Sequence, residues 1–195
     1  MATKRLQQPQ RSLKEAFLVI CEGETERNYV DFLRISYHSP IRIVSKVSGQ
    51  SVSQQLINKH VEQLKLGKYD KITSFLMYDM DVEEVNRRFG QCKAILLLSN
   101  PCVEQWFLLH AADNKEPMSS EAVISALKNI DPIWKQYKKG TLTFPQQSFL
   151  WQNRGQAIIR AKVLEPLANP SSSVYILLEK LEESLQRTAV KMNKP

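Results

Sequence analysis

Two short stretches of this chain carry the residue types for chemistry, Glu22-Gly23-Glu24-Thr25-Glu26 and Asp79-Met80-Asp81. A hard divalent cation takes oxygen ligands, keeps several waters, and is typically held by one or two carboxylates plus a substrate phosphate. In Asp79-Met80-Asp81 the acids stand two residues apart, so an extended backbone points both the same way. Glu22 from one strand end, with Asp79 and Asp81 from another, would suit Mg²⁺ or Mn²⁺. Taken singly, these acids also read as surface loop residues or helix caps, and Asp81 ahead of Val82-Glu83-Glu84 could be a plain N-cap. Together, on two strand ends of a basic chain, they favour the metal. Glu26 lies one helical turn beyond Glu22. It could bind a second cation, or it could compensate the positive end of a helix.

The elements that must position these acids are legible from periodicity. Phe17–Cys21 is a short apolar run that reads as a strand buried on both faces, with a sharp turn at Gly23. A helix follows, its apolar face marked by Tyr29, Phe32 and Leu33. Residues 41–47 alternate well enough for a second strand. Ser51 then caps a helix running to about Leu66, striped by Val52, Leu56, Ile57, Val61 and Leu64 and stopped at Gly67. Residues 71–78 and 93–98 are the third and fourth strands, with a helix or turn between them over 82–90. Asn100 caps, and Pro101 opens, a helix over 102–111.

Strand and helix alternate, which predicts a doubly wound α/β core with a mainly parallel four-stranded sheet. Ligands of such sheets bind outside the carboxyl ends of the strands, where Glu22 and Asp79 would stand. Beyond Asp113 the strand signal disappears, and 119–130, 146–165 and 172–189 read as helical. The expected organisation is a loose basic tail (1–12), an α/β core (13–112) and a helical extension packed on it (113–195).

Composition narrows the partners. The chain of 195 residues has 27 Lys and Arg against 20 Asp and Glu, a net charge of +7, which points to a polyanion such as nucleic acid. Part of that excess lies in the two ends. Three cysteines without CxxC spacing give no disulfide framework, and Cys21 reads as a buried, reduced thiol. No run is long and apolar enough for a membrane span, and the polar start is unlike a signal peptide, so the expected compartment is the cytoplasm. No Gly-rich phosphate loop is present, so any ATP hydrolysis belongs to another protein. Trp106 and Phe107 read as core, and His110 as a partner for the carboxyl end of its helix. Lys138 and Lys139 could contact phosphate, and Arg154 and Arg160 are candidates of the same kind.

Glu22-Gly23-Glu24-Thr25-Glu26 followed by Asp79-Met80-Asp81 resembles the glutamate and Asp-x-Asp motifs of Toprim domains, most closely the EGxTE form of OLD-like nucleases. Ser99-Asn100-Pro101-Cys102-Val103-Glu104-Gln105-Trp106-Phe107-Leu108-Leu109-His110 looks like the signature of RloB-like proteins, as do Tyr137-Lys138-Lys139-Gly140 and Asn169-Pro170-Ser171-Ser172-Ser173-Val174. These matches run from Phe17 to about Leu181 in the family's order. Val30 stands where the family usually has an aromatic residue, a difference of packing. The resemblance implies a Toprim-like fold and a metal-dependent nuclease of a prokaryotic phage-defence locus, working beside an ABC-type ATPase. It implies Glu22 as general base or metal ligand, Asp79 and Asp81 as metal ligands, and active-site roles for Glu26, Glu104 and Lys139. RNA, including tRNA, is favoured slightly over DNA as substrate, and an oligomer is open. The competing expectation is a non-catalytic Toprim-like module that binds metal and nucleic acid for the ATPase. Strand chemistry of primase or topoisomerase type fits less well, since no tyrosine stands out as a nucleophile.

Overall fold

The computed structural model describes residues 15–39, 41–67 and 70–192; the tail expected over 1–12 lies outside them. In chain order the elements are β1 (Glu15–Cys21), α1 (Glu24–Tyr37), β2 (Arg42–Val47), α2 (Gln54–Gln63), β3 (Lys71–Asp79), α3 (Glu83–Phe89), β4 (Ile95–Asn100) and α4 (Val103–Leu109). Then come α5 (Ser120–Ile130), a 3-10 turn (Pro132–Trp134), α6 (Phe144–Lys162), β5 (Ser171–Ser172) and α7 (Tyr175–Met192). The strands form one sheet in the order β2-β1-β3-β4-β5. β1 pairs in parallel with β2 and β3, and β3 with β4, while β5 runs antiparallel to β4. The fold is α/β with a five-stranded, mostly parallel sheet. Among the described residues no helix is long and apolar enough to cross a membrane.

The side-chain alternation of β1 explains why helices lie on both faces. Phe17, Val19 and Cys21 join Phe75, Met77 and Leu97 in one core, beside Tyr29 and Leu33 of α1, Trp106 and Phe107 of α4, Leu150 of α6 and Leu177 of α7. Leu18 and Ile20 point the other way, into a second core with Leu76, Tyr78, Ile57 of α2, and Val85 and Phe89 of α3. A strand covered on both sides must be apolar throughout, and Ala16–Cys21 is buried without a break. Trp106 and Phe107 are fully buried, the Trp106 indole N–H donating to the Tyr29 hydroxyl at 2.8 Å. Cys21 is a free, buried thiol.

Four local expectations are corrected. Ser53, not Ser51, caps α2, its hydroxyl accepting from the Leu56 N–H at 3.1 Å. That helix ends at Gln63, before Gly67, and Lys65 takes the left-handed turn with φ of 48°. Asn100 does not cap α4 and Pro101 does not open it. Asn100 still belongs to β4, paired with Ser171, and the helix begins at Val103 behind Cys102. The fifth strand was not expected at all. Ser171-Ser172 is too short and polar to show a strand pattern, yet the Ser173 hydroxyl accepts from the Leu98 N–H at 2.7 Å, and the Ser99 and Ser172 hydroxyls lie 3.0 Å apart.

Candidate active site

Parallel strands end on the same edge, and three neighbours deliver acids there. The register pairs Cys21 with Met77, so Glu22 follows β1 beside the last residues of β3. Its N–H donates to the Met77 carbonyl at 3.0 Å, and the Asp79 N–H donates to Glu22 Oε2 at 3.0 Å. Asp79 is paired with Ser99 of β4, and β4 leads into α4, whose first turn holds Glu104. Glu26 arrives from the first turn of α1. Both helices point their amino ends, with their partial positive charge, at this edge.

Two of the carboxylates, Glu26 and Glu104, have a definite partner. Glu26, 5% exposed, turns back so that Oε2 accepts the Gly23 N–H at 3.0 Å, closing the start of α1. A side chain at residue 23 would crowd that contact, since a Cβ there meets Glu26 Oε2 at 3.2 Å. Glu104 is 0% exposed; its Oε1 accepts the Tyr137 hydroxyl at 2.7 Å and its Oε2 faces Lys139 Nζ at 3.8 Å. Lys139 reaches it from the turn between the 3-10 segment and α6. That turn is clamped on α1: the Gly140 N–H donates to Thr25 Oγ1 at 2.8 Å, and Asn28 Nδ2 donates to the Gly140 carbonyl at 2.6 Å. Gly140 adopts φ of 80°, a conformation that suits glycine.

The acids share one field. Burial, then Glu26, Glu104 and Glu22, push the Asp79 carboxyl up to about 9. Burial first, with Glu104 and Glu22 adding to it, raises Glu26 to about 6 despite its backbone hydrogen bonds. Glu22 is raised by burial and by Asp81, against the Asp79 N–H and Lys139. Burial pulls the Lys139 ammonium down, but Glu104, Asp79, Cys102 and Glu26 together hold it above the usual lysine value.

β3 ends at Asp79 and the chain bends through Met80 and Asp81, so the extended backbone expected across Asp79-Met80-Asp81 stops at its first residue; Asp79 is half-buried and Asp81 is exposed. Asp81 does not cap α3 either, whose N-cap is Val82 without a side-chain bond. Lys138 is exposed in the same turn as Lys139. Arg154 and Arg160 are not brought to the acids. Arg154 lies over the Trp151 ring, 4.1 Å from its centroid, and donates to the Trp151 carbonyl. Arg160 donates to the Leu109 carbonyl at 2.7 Å, at the opposite end of α4 from Glu104. His110 is buried and donates Nδ1–H to the Trp106 carbonyl at 2.8 Å, and burial drops it to about 3. It closes the helix end as a neutral ring rather than as a cation. Sequence reasoning missed Tyr137, Thr25 and Asn28; Tyr137 was within reach, two residues before Lys139 in the same short motif.

Among the described residues no three His, Cys, Asp or Glu side chains converge closely enough to hold an ion as they stand. The donor set nonetheless suits one. Asp79 Oδ1 and Glu104 Oε2 are buried oxygens with no hydrogen-bond donor, and Lys139 answers only part of the charge of Glu22, Glu26, Asp79 and Glu104. Oxygen-only, carboxylate-rich ligation selects Mg²⁺ or Mn²⁺ over softer metals.

The family model described as RloB-like protein matches residues 17–181 of the chain. No curated protein and no solved structure matches it.

Proposed function

The chain belongs to the RloB-like protein family, and from that premise we propose that it is a metal-dependent Toprim-type nuclease that cleaves nucleic-acid phosphodiesters. RNA, tRNA included, stands ahead of DNA as substrate. The protein is the effector of a phage-defence system and acts with an ABC-type ATPase. The observation that supports this reading is the gathering of Glu22, Glu26, Asp79 and Glu104 from three chain segments at the carboxyl edge of one sheet, with Lys139 beside them.

Glu22, Asp79 and Asp81 would hold Mg²⁺ or Mn²⁺, which supplies Lewis-acid stabilisation of the charge that develops at the scissile phosphate. The chain's own residues do the rest. Glu22, whose Oε2 accepts the Asp79 N–H, would have to give up that bond to hold a cation, and Glu22 or Glu26, both raised by burial, can take a proton from the attacking water. Lys139, 56% exposed at its side chain, can meet a phosphate oxygen from the solvent side. The second reading, a non-catalytic module that binds nucleic acid and metal for the ATPase, draws support from carboxylates that rest on backbone donors rather than on one point.

Co-expression with the ATPase under phage challenge separates the two, with RNA ends and genomic breaks sequenced and Asp79→Ala run in parallel. Losing a transition-state charge partner costs about 10²-fold or more, so the nuclease reading expects defined new ends that vanish in the variant. Protection that survives Asp79→Ala without new ends establishes the binding module instead.

A further inference from the structure

We propose that Lys139 takes the place of a second metal ion, so that the centre holds one divalent cation per chain. This rests on the metal-dependent reading above and adds to it the number of ions and the residue that sets that number.

A two-metal centre needs carboxylates to spare beyond those of the first ion. The nearby acids that remain are Glu26 and Glu104, and both are engaged. Glu26 spends Oε2 on the Gly23 N–H at the start of α1. Glu104 is fully buried; Oε1 accepts the Tyr137 hydroxyl, and Oε2 has no hydrogen bond but faces Lys139 Nζ at 3.8 Å. With no solvent to screen it, that charge requires a cation close by. The fold supplies one covalently. Residues 137–140 bring both partners of Glu104 to it from a single turn, and the hydrogen bonds of Gly140, its N–H donating to Thr25 and its carbonyl accepting from Asn28, fix that turn to the helix that follows Glu22. Tyr137 is thus a positioning residue: it holds Glu104 by one oxygen and leaves the other toward Lys139. In two-ion phosphodiester chemistry the second ion stabilises the attacking or leaving oxygen. A lysine ammonium offers a compact point charge for that task, and more than half of the Lys139 side chain is open to solvent.

The test is a Mn²⁺ titration of the intact chain, with unbound ion followed by its electron paramagnetic resonance signal. Wild type should bind one Mn²⁺ per chain. Lys139→Ala, which frees the second oxygen of Glu104, should bind two, and Lys139→Ala with Glu104→Gln should return to one. Lys139→Met, which keeps the apolar stem, should behave as Lys139→Ala and guards against a local packing defect. Two ions on the wild type, or one still on both Lys139 variants, would overturn the inference while leaving the metal site intact. Binding of no Mn²⁺ by wild type and Asp79→Asn alike would overturn the metal reading itself, and this inference with it.

Discussion

Asp79 carries the carboxyl that burial and its neighbours push furthest from the carboxylate range among the acids of the site. It sits at the end of β3 with Oδ1 buried and without a donor, and burial and three neighbouring carboxylates raise its carboxyl to about 9. The sign of the consequence follows from linkage. The unfolded chain releases this proton near the ordinary value of 3.8, whereas the folded chain keeps it up to about 9. Between those limits the folded state binds more protons, so stability is greatest at the acid end and declines as pH rises through the window. In a chelator, the denaturation midpoint of wild type should fall across that range, and Asp79→Asn should lose this part of the slope. Near neutral pH the same variant should melt higher than wild type, by about 2–4 °C for each kcal/mol of relieved repulsion, while losing the cleavage proposed above. A variant that melts lower at every pH would show that the carboxyl is structurally wanted rather than functionally tolerated.

The elements around it act as holders. α4 carries Glu104 at its amino end and is closed at its other end by Arg160 on the Leu109 carbonyl and by His110 on the Trp106 carbonyl. Burial depresses His110 to about 3 from 6.5, so its stabilising effect is present above 6.5 and is lost as pH falls toward 3. His110→Asn should lower the melting temperature at neutral pH and flatten the acid limb of the stability curve; an unchanged acid limb would contradict it. The turn at Gly140 is the other holder. A Cβ there has room, its nearest neighbour being Glu24 Cβ at 3.5 Å, so backbone strain at φ of 80° governs the outcome. Gly140→Ala should cost about 1 kcal/mol or more of stability and should reduce the proposed cleavage further than that alone predicts, because the turn carries Tyr137 and Lys139. Equal cleavage per folded molecule would show that the placement of Lys139 does not matter.

At the scale of the whole molecule, what was legible in the sequence divides by range. The apolar run ending in Glu22 and the strand ending in Asp79 were readable, because burial on both faces leaves a continuous hydrophobic signature. Ser171-Ser172 was not, since a two-residue polar strand is made by pairing with Ser99 and Asn100 and by nothing local. Nor could local pattern show that Tyr137 meets Glu104, a contact spanning 33 residues. The same range decides how the chain divides. One core runs from Phe17 through Trp106 and Trp134 to Leu181, and the residues expected as an appended extension fill it with Leu127, Trp134, Leu150, Leu177, Leu178 and Leu181. A chain cut after Ala112 would lose these six side chains from the core, Trp134 beside Phe107 among them, and with them Tyr137 beside Phe107 and Trp151 beside Phe32 and Tyr37. Burying one large apolar side chain is worth about 1.5–3 kcal/mol, so the loss of six is comparable with the roughly 5–15 kcal/mol that stabilises a whole domain. The truncated chain should therefore show no cooperative unfolding transition and no near-ultraviolet aromatic signal from Trp106. A sharp, reversible transition from residues 13–112 would instead make the α/β core an independent folding unit, with the later helices serving only to bring Tyr137 and Lys139 to Glu104.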